Sequence, residues 1–188
     1  MDKKFIRTRE CKFRAAETDN KKYIEGYFVV FGAIYDMGWG ITESVHRNAF
    51  DKYLDNDIRV LFNHKSTIVL GRNKSQTATI SIDDHGVYVR CEVNENDSDA
   101  MNVYARVLRG DINQASFGGY MVSEERTVDA KTGSRHYTIM EFDVMEFSVC
   151  TFPAYEETDV GARARKSEDG FRRWKEEMQE SPSPSITI

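Results

Sequence analysis

The chain has 188 residues, 40% hydrophobic and 30% charged, which is material for one well-packed domain with or without a tail. Its 26 Lys and Arg against 31 Asp and Glu give a formal net charge of −5, which argues against a general nucleic-acid binder. No apolar run approaches the roughly 20 residues of a membrane span, and the start MDKKFIRTRECKF has no apolar stretch of the signal-peptide kind. Cys11, Cys91 and Cys150 are odd in number, far apart and without a CxxC pair, so neither a full disulfide framework nor a zinc-ribbon site is expected, and a reduced, cytosolic-type protein is.

All three prolines lie at position 153 or later, so the preceding residues are free to form long paired strands. The first clear pattern is KKYIEGYFVVFG, residues 21–32, a strand rich in aromatic and β-branched residues. In TESVHRNAFDKYL, residues 42–54, Val45, Ala49 and Tyr53 with Phe50 and Leu54 fall near helical spacing, and Thr42 can cap a short helix. DIRVLFN, residues 57–63, reads as a buried strand ending at His64. Residues 76–82 and 86–93 alternate with period two about the turn Asp83-Asp84-His85-Gly86. Ala100, Val103, Tyr104, Val107 and Leu108 then recur at three and four, predicting an amphipathic helix over 99–109 that is capped by Asp97 or Ser98 and stopped by Gly110. Residues 112–125 and 135–152 form a long β pair across a hydrophilic turn. Past Pro153 the composition turns to Glu, Arg, Lys and Ser; Phe171, Trp174 and Met178 suggest a helix there, before a frayed SPSPSITI. The boundaries read as a domain over 1–160 and a polar tail over 161–188.

Three segments carry residues suited to chemistry. His64, at a strand end, has the open, rigid setting of a general base, although a rim histidine held by hydrogen bonds fits the same sequence. Ser116 lies in QASFGGY, where Ala115 and the pair Gly118-Gly119 permit the close approach a nucleophile needs; a β-bulge recruits the same glycines and is the better reading of SxGG alone. In EFDVMEFSVC, strict alternation puts Glu146 on one face with Phe142, Val144, Ser148 and Cys150. A carboxylate there needs a partner, either a histidine or an arginine such as Arg90, Arg106 or Arg109. Asp143 faces the other way, toward solvent or a lysine. Cys150 is the rival nucleophile, in a setting where cysteines usually behave as small hydrophobes. His46, His85 and His136 have no evident catalytic partner, and no HxH or HExxH marks a metal site.

Taken in order, these segments resemble the prohead proteases of tailed bacteriophages, which are related in fold to the herpesvirus maturational proteases. The resemblance runs through GYFVVFG and Tyr35-Asp36, Glu43, Ala49-Phe50, LFNH, Leu70-Gly71, VLRG with Ile112, ASFG, VMEFSV and FPAY, over most of residues 26–160. Lys65 stands where an acidic residue is common, and His46-Arg47-Asn48 where Pro-Gly is often found. The resemblance implies a β-rich α+β fold, a herpesvirus-protease-like β-barrel with a few surrounding helices. It implies a serine endopeptidase that cuts scaffold protein or a capsid-protein extension, and itself, inside the assembling procapsid in the host cytoplasm. His64 matches the general base and Ser116 the nucleophile. Glu146 is the choice for third member, with His136, by analogy with the herpesvirus relatives, or Asp143 as alternatives. No metal or organic cofactor is needed, and no nucleic acid or membrane is a partner; major capsid or scaffold protein is the substrate, and a homodimer or higher oligomer has precedent in the herpesvirus relatives. The competing readings are a non-catalytic β-barrel module that binds capsid or scaffold protein and, lowest, a small-substrate esterase, for which the GxSxG elbow is absent.

Overall fold

A computed structural model describes residues 4–10 and 13–152. Eleven strands and one helix follow in order among the described residues: β1 (Lys4–Glu10), β2 (Phe13–Thr18), β3 (Lys21–Val30), β4 (Tyr35–Asp36), β5 (Ile41–Val45), β6 (Arg59–Phe62), β7 (Lys65–Arg72), β8 (Ala78–Ile82), β9 (Gly86–Glu92), α1 (Ser98–Arg109), β10 (Gln114–Val128) and β11 (Arg135–Cys150). The β-rich class read from the sequence therefore holds. The strands pair as two sheets rather than as one closed ring: β2-β3-β9-β8, and a seven-stranded sheet with the path β1-β10-β11-β5-β4 to which β6 and β7 attach. The predicted tail helix and the boundary at residue 160 lie outside the described residues. No helix among the described residues is long and apolar enough to cross a membrane.

The two sheets face each other across a phenylalanine-rich core. Phe28 of β3 meets Phe147 of β11 edge-on at 6.1 Å, while Phe117 packs T-shaped on Phe50 at 5.3 Å and on Phe142 at 5.0 Å. The helix adds Ala100, Val103, Tyr104 and Val107 to the same core. Its start and stop follow the sequence: Asp97 accepts from the amides of Asp99 and Ala100, and Gly110 closes the helix at φ 88°.

The helix expected over 42–54 is not formed. Residues 41–45 instead pair parallel with β11, Ile41 opposite Arg135 and Val45 opposite Ile139. The chain then folds through successive turns, with amides of Ala49, Tyr53 and Asn56 reaching carbonyls three residues back. Helical spacing arose because a strand end and two turns each bury apolar residues, and parallel pairing with a strand nearly a hundred positions away overrides local pattern.

Strand β11 organises the site. It pairs antiparallel with β10 along one edge, and on the other edge parallel with β5 and then with β6, Glu146 opposite Arg59 and Val149 opposite Phe62. Phe142 and Val144 are core residues, yet so are Phe147 and Val149, so the strand changes face between them. The change is a β-bulge: Gly118 opposes Glu146 and Gly119 opposes Val144, leaving Met145 unopposed. Glu146 thus shares a face with Ser148 and Cys150 but not with Phe142 and Val144, which corrects the strict-alternation reading. The glycines are the other half of this device, since a Cβ on Gly119 would lie 2.0 Å from the Asp143 carbonyl oxygen.

At the root of the β6–β7 hairpin, Arg59 and Arg72 lie directly opposite each other. Asp57 bridges them, accepting from Arg72 Nε and Nη2, both at 2.6 Å, and from Arg59 Nη2 at 3.0 Å. The Arg72 hydrogen bond is the main cause that holds its carboxyl down at about 2, from an ordinary 3.8. Because the folded value is depressed, the stabilisation is present above pH 3.8 and is lost as pH falls through about 2. Asp57→Asn is therefore expected to lower the melting temperature at neutral pH, with the gap to wild type closing across that acid window. All three side chains are partly exposed, so added salt shrinks the gap. Thermal unfolding across pH checks this; a gap that stays constant to pH 2 contradicts it.

Candidate active site

His64 does not sit at a strand end. It is the second residue of a two-residue hairpin loop between Phe62 and Lys65, and both loop residues have positive φ, Asn63 at 50° and His64 at 59°, as a type I′ turn requires. Asparagine and histidine enter this region more readily than other side chains, yet two successive left-handed residues store about 1 kcal/mol or more that the surroundings must offset. The end of β11 does so. Asn63 N–H donates to the Val149 carbonyl at 3.0 Å, its side chain exchanges two bonds with Thr151, and His64 N–H donates to Ser148 Oγ at 3.2 Å.

This anchoring brings the imidazole over the face that the bulge exposes. His64 Nδ1 and Glu146 Oε1 are 2.7 Å apart, with the two side chains 16% and 3% exposed. An ionised carboxylate has no proton to give, so Nδ1 is the donor of this bond, and in the neutral ring the lone pair then lies on Nε2. The histidine alternative is realised for Glu146, while Arg90 pairs with Glu25 and Arg109 with Asp111.

Ser116 stands directly opposite Ser148 on the neighbouring strand. Its neighbours Ala115 and Phe117 belong to the core, so its side chain lies on the same face as Glu146, Ser148 and Cys150. Ser116 has no exposed surface, and its hydroxyl donates to the Arg7 carbonyl of β1 at 2.7 Å, not to His64. The atom facing His64 Nε2 is Cys150 Sγ, at 3.6 Å. So the structure joins His64 to Glu146, places Ser116 across one strand from them with its hydroxyl turned away, and seats the rival thiol at the open nitrogen.

The alternatives for third member lie elsewhere. His136 is held by two hydroxyls of β5, Thr42 Oγ1 at 2.8 Å from Nδ1 and Ser44 Oγ at 2.9 Å from Nε2. Asp143 accepts from Asn56 Nδ2 at 2.8 Å, rather than from a lysine. His85 packs against Tyr27, and His46 caps its own turn through Asn48 N–H. Among the described residues no cluster of three or more His, Cys, Asp or Glu could hold a metal ion.

Several contributors went unread in the sequence. Strand β1, which precedes the first clear pattern, supplies the carbonyl that holds Ser116; it is pinned by a buried ion pair, Arg7 Nε to Glu43 Oε1 at 2.7 Å. Asn63 was legible in principle, as an asparagine beside one further residue between two apolar runs. Ser148 donates to Glu146 Oε2 at 2.6 Å. Its signal was the two-residue spacing from Glu146 within an apolar strand.

Comparison with known proteins places the chain in a family. The chain is 31% identical over 164 residues to the prohead protease of Enterobacteria phage HK97, covering 86% of this chain and 67% of that one. It also aligns with the bacteriophage T4 capsid assembly protease, at 16% identity and a TM-score of 0.48, over 80% of this chain and 98% of that structure. The family described as caudovirus prohead serine protease matches residues 9–172. The chain belongs to the caudovirus prohead serine protease family.

Proposed function

We propose that this peptidase is a serine endopeptidase of phage prohead maturation, acting on scaffold protein or a capsid-protein extension within the assembling procapsid, and trimming itself. The observation that carries the reading is the largely buried His64–Glu146 pair at 2.7 Å on the face that also bears Ser116. Ser116 Oγ attacks the scissile carbonyl, His64 Nε2 takes its proton, and Glu146 holds the tautomer and stabilises the imidazolium. The protonated imidazole then releases the leaving amine, and water resolves the acyl-enzyme. A Ser116 hydroxyl engaged by Arg7 and fully buried describes a resting arrangement. Bound substrate must turn it from the Arg7 carbonyl to Nε2, a rearrangement of the kind expected when catalytic hydrogen bonds align only in the substrate complex.

Cys150 sustains a second reading, as a thiol nucleophile, because its Sγ lies 3.6 Å from Nε2. A fluorophosphonate probe applied to the intact protein separates the readings. Labelling that maps to Ser116 and persists in Cys150→Ala is expected. Alkylation of Cys150 that abolishes cleavage, with no modified Ser116, favours the thiol. A protein that binds capsid or scaffold chains without covalent labelling is a non-catalytic module. Intact masses of wild type and Ser116→Ala test self-trimming, which predicts a shorter product only in the former.

A further inference from the structure

Both oxygens of the Glu146 carboxylate are engaged. Oε1 holds His64 Nδ1, and Oε2 accepts the Ser148 hydroxyl at 2.6 Å. The same Ser148 Oγ accepts the backbone N–H of His64 at 3.2 Å. A hydroxyl has one proton to give and lone pairs to receive with, and here it does both. The bonds form a closed ring: His64 N–H to Ser148 Oγ, its O–H to Glu146 Oε2, and Oε1 back to Nδ1 of the same histidine. Ser148 has no exposed surface and Glu146 is 2% exposed, so water does not compete for these groups.

We infer that Ser148 is a positioning residue for the catalytic imidazole, acting through the Glu146 carboxylate. Glu146 and Ser148 are two apart on one strand and project on one face, so the hydroxyl fixes the rotation of the carboxyl plane from a rigid platform. It also ties the strained turn to the same atom, so backbone and ring of His64 are set by one side chain. Without it, Oε2 loses a buried donor, and the carboxylate is held less firmly in line with Nδ1. Ser148 does not face Nε2 and touches no reacting atom, which separates its role from that of Ser116. The inference rests on reading His64 and Glu146 as base and orienting acid.

The test uses the full chain, a fluorophosphonate probe and ¹⁵N-histidine NMR. Ser148→Ala removes one buried atom and keeps the fold, which a melting curve verifies. The maximal labelling rate is expected to fall about 10- to 100-fold, with the half-saturating probe concentration within about twofold. The downfield Nδ1 proton of His64 is expected to move upfield or broaden. Repeating the substitution in a Glu146→Gln background should change the rate by less than about threefold, because the hydroxyl then has no carboxylate to hold. An equal loss in both backgrounds, or an unchanged Nδ1 proton in Ser148→Ala, overturns the inference. If wild type itself is not labelled, the serine mechanism falls alone, since the proton resonance still reports the His64–Glu146 bond and its dependence on Ser148.

Discussion

Ser116→Ala is expected to reduce processing of a co-expressed capsid or scaffold precursor by on the order of 10⁶-fold, with the fold retained. In the proposed mechanism the substitution removes the attacking oxygen and leaves the base with nothing to activate. It also removes a hydrogen bond to the Arg7 carbonyl, a structural loss of about 1 kcal/mol, so the melting temperature changes little. His64→Ala should be nearly as severe, and the double variant no worse than either, because nucleophile and base act as one unit. Glu146→Gln is expected to cost about 10⁴-fold, leaving more activity than the other two. A glutamine amide can donate to Nδ1 and hold the imidazole in the opposite tautomer, with its hydrogen on Nε2, where a base cannot accept a proton. Gel analysis of precursor cleavage over time orders the three variants. Wild-type processing by Ser116→Ala would sink the mechanism.

Much of this was legible residue by residue, and the illegible parts share a cause. The β10–β11 pair announced itself through period-two alternation about a hydrophilic turn, and α1 through three-four spacing between Asp97 and Gly110, because both are local patterns. The parallel pairing of β5 and β6 with β11 is not local: Val45 and Ile139 meet across a long stretch of chain, and nothing near either residue specifies the other. The same holds at the site. His64, Ser116 and Glu146 stood out as polar residues in apolar strands, but the resemblance, not local pattern, joined them. Their geometry depends on cross-strand events: the two-residue turn that hangs His64 from β11, and the bulge that reverses the parity of Glu146. Strict alternation misplaced Phe142 and Val144 relative to Glu146 because an unopposed residue is invisible until the partner strand is known. The Gly118-Gly119 pair was its trace, and the bulge reading of those glycines is compatible with the nucleophile role proposed for Ser116.

That dependence makes Gly119→Ala a substitution with a large expected effect on the geometry of the site. The added Cβ would meet the Asp143 carbonyl oxygen at 2.0 Å and the Phe142 ring at 2.8 Å. The first contact is backbone against a Cβ, so no rotamer change relieves it; the strands must separate or change register. Removing the bulge either turns Phe142 and Val144 out of the core or turns Glu146 and Ser148 into it. The first choice exposes side chains worth about 1.5–3 kcal/mol each, and the second buries a carboxylate among phenylalanines. Overpacking of this kind is expected to cost about 3 kcal/mol or more. It should also erase the downfield His64 proton, since Glu146 cannot keep its place while the bulge opens. Gly133→Ala is the matched control: its φ is +73° and a Cβ there meets open space, so its cost is the left-handed backbone penalty of about 1–2 kcal/mol, with the His64 proton untouched. Urea unfolding and ¹⁵N-histidine spectra of the two variants decide the matter. A Gly119→Ala protein as stable as Gly133→Ala, with the His64–Glu146 proton in place, would mean that the glycine pair is not what aims the carboxylate.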